Sequence, residues 1–257
     1  MIIDANVSLS RWPFRRLAGD EAPDLVARLR KQGVTQAWAG SFDGMLHRDI
    51  GGVNARLAAD CRTHGKDFLL PFGSINPKLP DWQEDVRRCS EDFRMPGIRL
   101  HPNYHGYELS DPAFPELLKL ATARRLIVQI ALSMEDVRTQ YPLLRVAPVD
   151  VAPLPDIVRR EPGARVVLLN WTPAMREQRL QPFVDAGQIY FDIAMVEGVG
   201  GVARLVEKLP AQRVLFGSHA PYFYWQSAML KMQESGLPED QKKALFEGNA
   251  RRVLAGR

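Results

Sequence analysis

The sequence predicts an α/β protein, a closed (β/α)8 TIM barrel in which eight parallel strands alternate with helices. The first observation is a series of eight short apolar runs, most of them separated by helix-like stretches, which is typical of a parallel sheet. The second is the length of 257 residues, which suits one barrel domain of about 250 residues, so we expect a single domain over 1–257. Periodicity alone leaves an open doubly wound sheet as the alternative.

The third observation is an absence of nucleotide-binding motifs. No G-x-G-x-x-G follows the first apolar run, and no Walker pattern occurs anywhere in the chain. Dinucleotide-binding and P-loop folds are therefore disfavoured. Right-handed crossovers between parallel strands make the closed barrel the simplest topology for what remains.

Each predicted strand is an apolar run that stops at glycine, proline or a polar residue, as a buried parallel strand does where it enters a loop. In chain order the runs are 1–7, 35–42, 68–75, 97–102, 126–132, 165–170, 189–194 and 214–217.

The stretches between these runs have helical patterns, several of them closed by a glycine. They are 23–29, 49–64, 81–94, 111–125, 174–186, 199–209, 223–235 and 239–254. The proline-rich segment 134–155 is predicted to be an excursion over one face, and 157–160 resembles the remnant of a helix.

The composition excludes several classes of protein. The net charge of +4 comes without a run of like charges or a basic stripe with aromatics, so we expect no nucleic-acid partner. Two cysteines provide no disulfide framework and fit a reducing cytoplasm. The sequence begins without a signal-peptide pattern and contains no apolar run of about 20 residues, so we expect a cytoplasmic protein without a membrane span.

Four stretches resemble the amidohydrolase-related family, in order along nearly the whole chain. They are 2–8 (IIDANVS), 97–102 (GIRLHP), 213–221 (RVLFGSHAP) and 247–254 (EGNARRVL). The resemblance implies a barrel with its site at the carboxyl ends of the strands, where relatives are metal-dependent hydrolases and decarboxylases of small anionic molecules. It leaves a homodimer open as the oligomeric state.

The metal-binding positions that the resemblance implies are all changed. The two histidines of the first strand are replaced by Asn6 and Ser8, and the fifth- and sixth-strand histidines by Ala131 and Asn170. The eighth-strand aspartate is replaced by His219. Zinc prefers thiolate, imidazole and carboxylate ligands, so we do not carry the zinc over to this chain and leave the cofactor unknown.

The first functional hypothesis is an amidohydrolase-like hydrolase with an altered, metal-free site, acting on a lactone, amide or similar bond of a small anion. His219 and His101 would perform acid–base catalysis with Asp192, since two histidines and a carboxylate suffice near neutral pH. The substrate would contact residues at the strand ends: Asn6, Ser8, Arg11, Arg99, His105 and Asn170. Asn6 and Asn170 would donate to a developing oxyanion, and the arginines would bind a carboxylate.

Three alternatives remain open at this point. The chain could be catalytically silent and bind a ligand or a partner, because every implied metal ligand has changed. It could hold a metal on a rearranged set, namely His101, His105, Asp192 and His219. Each polar residue could also be a hydrogen-bonded structural residue, and the cluster Glu135, Asp136 and Arg138 either lines the site or pairs internally in solvent.

Overall fold

The structure is a computed structural model that describes residues 1–171 and 180–256. Eight parallel strands follow one another around a single sheet in chain order. They are β1 (Ile2–Leu9), β2 (Val34–Ser41), β3 (Leu69–Ser74), β4 (Gly97–Leu100), β5 (Ile127–Ala131), β6 (Arg165–Leu169), β7 (Gln188–Asp192) and β8 (Val214–Leu215). The predicted (β/α)8 barrel is thereby confirmed.

Backbone hydrogen bonds join the last strand and its following loop to the first strand. Ala5 N–H donates to Phe216 O over 2.9 Å, and His219 N–H donates to Asn6 O over 2.8 Å. A parallel bridge between Val7 and Ala220 continues this seam toward the carboxyl end of the barrel. The position of His219 on the barrel rim is therefore fixed by the backbone that closes the sheet.

Helices cover the outside of the barrel. They are α1 (Ala22–Lys31), α2 (Ile50–Gly65), α3 (Trp82–Glu91), α4 (Pro102–His105), α5 (Ala113–Ala123), α6 (Leu154–Arg160), α7 (Gln181–Ala186), α8 (Gly201–Lys208), α9 (Trp225–Glu234), α10 (Glu239–Lys243) and α11 (Asn249–Ala255). None of the helices within the described residues is long and apolar enough to cross a membrane.

The predicted helices differ from the observed ones in three places. The stretch 239–254 is not one helix, because a π-helical turn over Ala244–Gly248 separates α10 from α11. The prediction for 174–186 falls partly outside the described residues, and the described helix is α7. The four-residue helix α4 was not predicted, and it places His105 one turn beyond β4.

Two apolar layers stabilise the barrel. The larger lies between the strands and the outer helices, where residues such as Val7, Ile98 and Phe191 contact helical side chains. The second fills the barrel interior at the amino ends of the strands, with Trp38 stacked on Phe72 at 5.1 Å between ring centroids. Toward the carboxyl ends the inward-facing side chains become polar, and these polar residues form the candidate site.

Candidate active site at the carboxyl end of the barrel

Ten polar side chains are buried at the carboxyl half of the barrel, each no more than 2% exposed. They are Asp4, Asn6, Ser8, Arg99, His101, Gln129, Asn170, Asp192, Ser218 and His219. The structure therefore brings together most of the residues predicted from the strand ends. Burial of so many polar groups costs free energy unless each has a hydrogen-bond partner, so their partners decide what the site can do.

Asn6, Asn170 and Asp192 form a hydrogen-bonded network across β1, β6 and β7. The Asn6 amide donates from Nδ2 to Asn170 Oδ1 over 2.7 Å and to Asp192 Oδ2 over 2.6 Å. The other oxygen of Asp192 accepts from the backbone N–H of Asn170 over 2.9 Å. Asn170 Nδ2 in turn donates to Ser133 O over 2.7 Å. Both amide side chains are thus already engaged with protein groups.

A glycine makes this close approach possible. A Cβ atom on Gly217 would lie 2.9 Å from Asp192 Oδ2 and 3.1 Å from Asn6 Cβ, which is too close for a side chain without a shift of neighbours. The glycine in the eighth-strand stretch therefore provides room for the network at the centre of the barrel.

Asp4 joins the first strand to the loop after β8. Its Oδ2 accepts from the Ser218 hydroxyl over 2.6 Å, and its Oδ1 accepts from the backbone N–H of Ser218 over 3.0 Å. Burial raises the pKa of Asp4 to about 7, although these hydrogen bonds favour the ionised form. Burial likewise raises the pKa of Asp192 to about 6.

Arg99 lies inside the barrel, and each of its guanidinium nitrogens is used. Nε donates to Gln129 Oε1 over 2.8 Å, and one terminal nitrogen donates to Val7 O and to the Ser8 hydroxyl over 2.9 and 3.1 Å. The other donates to Trp38 O over 3.2 Å. Burial lowers the pKa of Arg99 to about 10. Arg99, on β4, therefore bonds to three other strands, β1, β2 and β5, and each of its nitrogens already has a protein acceptor.

His219 occupies the rim after β8 with a left-handed backbone, φ +59°. Its Nε2–H donates to Met134 O over 2.9 Å, because a carbonyl oxygen can only accept. The neutral ring then presents a lone pair on Nδ1, which has no partner in the described part of the chain. Burial lowers the pKa of His219 to about 4, so the ring is neutral at pH 7. It could accept a proton, but it is fully buried.

His101 and His105 lie on the far side of the rim, with their ring centroids 6.0 Å apart. His105 donates from Nε2 to Gly44 O over 2.8 Å. Nδ1 of each ring is buried and without a partner among the described residues. Burial lowers the pKa of both histidines. Both rings are therefore neutral at pH 7.

An aromatic cluster covers the centre of the barrel on the solvent side. Its buried members are Trp12, Phe42, Met45, Ala131 and Met134, and its partly buried members are Phe14, Leu17, Tyr104 and Tyr222. Tyr222 stacks on His219 with 5.1 Å between centroids, and Trp12 packs edge-on against Tyr222 at 4.9 Å. The side chains that would face a substrate at the barrel centre are therefore closed off by the chain itself.

Arg11 is not brought to this site. Its guanidinium is mostly exposed and pairs with Glu21 at 2.6 Å on the first loop. Arg11 was predicted to bind substrate because it follows β1, but the loop carries it outward.

The family's divalent metal does not fit the side chains at its positions. Ser8 accepts from Arg99, Asn6 points its amide nitrogen at a carboxylate, and Ala131 packs into the aromatic cluster. Within residues 1–171 and 180–256, no three His, Cys, Asp or Glu side chains are grouped so that they could hold a metal ion. The rearranged set of His101, His105, Asp192 and His219 is thus not assembled in this structure.

A cavity of about 390 Å³ lies beside the closed centre, between the loops that follow β5, β7 and β8. Polar groups from Ser133, Glu135 and Lys231 line it together with apolar groups that include Met195 and Phe223. Its full set of described lining residues is Ser133, Glu135, Asp136, Val137, Pro148, Ala194, Met195, Glu197, Phe223, Ser227 and Lys231. The volume is within the range of small-molecule sites.

Sequence reasoning missed Lys231 and left Glu135 undecided. Lys231 lies on α9, and its Nζ donates to Ala194 O over 2.6 Å at the end of β7. Burial lowers its pKa. Asp136 pairs with Arg138 in solvent, as one alternative held, whereas Glu135 is 3% exposed and faces the cavity. The only sequence signal for Lys231 was its place in the first helix after the last strand.

The comparisons with known proteins agree with this architecture. A family model described as Amidohydrolase matches residues 9–255. The chain is similar to 5-carboxyvanillate decarboxylase from Sphingomonas paucimobilis, at 14% identity and a TM-score of 0.75, over 99% of this chain and 98% of that one. No curated protein sequence matches.

Two further solved structures show the same fold. The chain is similar to 2,6-dihydroxybenzoate decarboxylase from Rhizobium at 12% identity and a TM-score of 0.74, over 99% of this chain and 98% of that one. A structure of 2,6-dihydroxybenzoate decarboxylase in complex with 2,6-dihydroxybenzoate matches equally well. 4-Oxalomesaconate hydratase from Rhodopseudomonas palustris matches at 14% identity and a TM-score of 0.71, over 100% of this chain and 96% of that one. These neighbours are decarboxylases and a hydratase rather than hydrolases.

Proposed function

This chain belongs to the amidohydrolase family, and we propose that it binds a small carboxylate in the cavity beside the barrel centre, without the family's divalent metal. The observation that carries the proposal is the position of Lys231. It is the one basic side chain among the described residues that line the cavity, and it sits at the carboxyl end of the barrel, where this fold holds its ligands.

The ammonium group of Lys231 has a donor left for a ligand. An ammonium has three N–H donors. Two are directed at the backbone oxygens of Ala194 and Ile193, at 2.6 and 3.4 Å. These two carbonyls fix the position of the charge, and the remaining N–H is available to a carboxylate. The apolar part of the lining, which includes Met195 and Phe223, suits the planar body of an aromatic acid.

Small aromatic carboxylates are also reasonable probes because one structural neighbour was solved with 2,6-dihydroxybenzoate. The likeness to that protein is one of fold, so the neighbour suggests only which compounds to test.

The test is calorimetric titration of the purified protein with benzoate in the presence and absence of EDTA. We expect saturable binding that EDTA does not change. Ser227→Phe, which places a ring at the cavity wall, should weaken binding at least 10-fold. Gln233→Phe adds the same ring to an exposed position of α9 outside the cavity and should leave binding unchanged. Loss of binding on chelation, or equal affinity in the two variants, would overturn the proposal.

A second candidate is the metal-independent hydrolysis of a small anionic lactone or amide by His219 and His101. The observation in its favour is that Nδ1 of each ring is buried without a partner among the described residues, while the neighbouring amides and carboxylates are bonded. Asp192 would act by holding Asn6 and Asn170, the proposed oxyanion donors. A substrate could reach these rings only if the aromatic cluster opened.

Turnover assays with lactones, amides and β-keto acids test this candidate. We expect activity that His219→Gln abolishes and that Tyr222→Phe alters, because Tyr222 covers the ring. Absence of turnover above the His219→Gln level would leave binding in the cavity as the function.

A further inference from the structure

The strongest unexplained group in the cavity is the carboxylate of Glu135. It is 3% exposed and lines the same cavity as Lys231. Within residues 1–171 and 180–256, no Lys, Arg or His nitrogen forms an ion pair with it. A buried carboxylate without a cation is costly, because the charge has lost its solvation without gaining an opposite charge.

The contacts of Glu135 hold it in place without neutralising it. Its Oε2 accepts from the Tyr222 hydroxyl over 3.0 Å, and its backbone oxygen accepts from the Ser133 hydroxyl over 2.9 Å. Arg15 donates to the same Tyr222 hydroxyl over 3.2 Å. The positive charge of Arg15 favours the ionised form of Glu135, but Arg15 bonds to the phenol and forms no ion pair with the carboxylate.

The other acidic residues around the cavity have a basic neighbour. Both carboxylate oxygens of Asp136 pair with Arg138. The negative charge of Glu197 also raises the pKa of Arg138. Glu135 therefore differs from Asp136, because no cation among the described residues forms an ion pair with it. Lys231, for its part, is held by the carbonyls at the end of β7.

We propose that the ligand is zwitterionic, with its carboxylate at Lys231 and a protonated nitrogen at Glu135. This inference rests on the proposed function, since it adds a second contact to the ligand already assigned to the cavity. An N–H donor on a cation gives a charge-assisted hydrogen bond to a carboxylate, which is roughly twice as strong as a neutral one. The apolar side chains that line the same cavity as the two charged groups fit an aromatic or branched aliphatic body.

The test compares six probes on the full-length protein by calorimetry. Benzoate, benzylamine and benzyl alcohol carry at most one charge, and 3-(aminomethyl)benzoate, 4-(aminomethyl)benzoate and phenylalanine are zwitterions with three different spacings of the charges. We expect at least one zwitterion to bind roughly 10-fold or more tighter than benzoate, from the strength of hydrogen bonds to charged groups. If every zwitterion binds no better than benzoate, the inference is wrong.

Two variants locate the effect. Glu135→Gln should remove the advantage of the zwitterion over benzoate, and benzoate should bind no more weakly than to the native protein, because a negative charge near its carboxylate has been removed. Asp136→Asn removes the same charge from a residue already paired with Arg138 and should keep most of the advantage. An advantage that survives in Glu135→Gln would overturn the assignment. The comparison of probes on the unchanged protein does not depend on whether this variant folds.

Failure of the two proposals looks different. If benzoate does not bind and Ser227→Phe changes nothing for any probe, the cavity is not the ligand site and both proposals fall. If benzoate binds and the ammonium group contributes nothing, only the zwitterion is excluded.

Discussion

Asn6 donates from Nδ2 to Oδ2 of Asp192 over 2.6 Å, although 186 residues separate the two along the chain. The contact joins β1 to β7 across the inside of the barrel, at a position where the family resemblance implies a metal ligand. A neutral amide bonded to a carboxylate takes the place of a histidine there. The polar centre of this barrel is therefore a stabilising network, and its energetics can be tested.

Asp192→Asn should destabilise the protein by about 2–4 kcal/mol, because the carboxylate accepts from the Asn6 amide and the Asn170 N–H inside the barrel. An amide can accept on one side only, so one buried donor would face another. Urea unfolding measures the loss. Asp24→Asn, on an exposed position of α1, should change the free energy of unfolding by less than about 0.5 kcal/mol. A loss equal to that of the control would show that the network contributes nothing.

The titration of Asp4 should lower stability as the pH rises from about 6.5 to 7.5. The pKa of Asp4 is about 7 in the folded protein against an ordinary value of 3.8, so the folded state holds a proton there that the unfolded chain has lost. The stabilisation is complete below pH 3.8 and is lost as the pH rises through about 7. His219, with a folded pKa of about 4 against 6.5, acts in the opposite direction, because the unfolded chain is still losing that proton between pH 6.5 and 7.5. His101 and His105, whose pKa values are also lowered, act in the same direction as His219.

Comparison with Asp4→Asn, which mimics the protonated acid, isolates the carboxyl group of Asp4, because the histidines titrate in both proteins. From pH 6.5 to 7.5 we expect the native protein to lose roughly 0.5–1 kcal/mol more stability than Asp4→Asn, by the linkage of protonation to folding. Urea unfolding of both proteins at several pH values measures the difference. The same pH dependence in the two proteins would contradict the pKa assigned to Asp4.

Gly217→Ala should destabilise the protein by about 1–3 kcal/mol, since its Cβ would lie 2.9 Å from Asp192 Oδ2 and would push the network apart. Gly248→Ala is the matched control, because its Cβ would meet only an ordinary contact at 3.7 Å in a helical segment. Thermal unfolding of the two variants compares them directly. Equal melting temperatures would mean that the network tolerates displacement.

Tyr222→Phe should cost about 1 kcal/mol and make the aromatic cluster more accessible, because the hydroxyl joins Glu135 to Arg15 over His219. Iodide quenching of tryptophan fluorescence reports on Trp12, whose ring lies 4.9 Å from that of Tyr222. Tyr224→Phe removes a hydroxyl from a side chain that is 74% exposed and should change neither property. Unchanged quenching in Tyr222→Phe would show that the hydroxyl does not hold the cluster closed.

Much of the fold was predictable from residue patterns alone. A parallel strand buried on both faces must be a continuous apolar run, and the runs at 97–102, 126–132 and 165–170 contain β4, β5 and β6, although β4 ends at Leu100. Because the carboxyl ends of parallel strands share one rim, the sequence also predicted that Asn6, Asn170 and Asp192 would meet. The break between α10 and α11 was not predictable, since Leu245 O in the π-helical turn between them accepts from the backbone N–H of Phe216 after β8.

What each polar residue does was decided by the tertiary structure. The sequence by itself determined that the metal-binding positions carry the wrong donors, because ligand preference is a property of the residue type. It could not determine that Arg99 turns inward to bond three other strands, or that Arg11 points outward to Glu21. Those outcomes depend on which acceptors a side chain meets once the barrel has closed. The same holds for the cavity. Glu135 and Lys231 lie far apart in sequence, and they line one cavity only because three strand-end loops converge there.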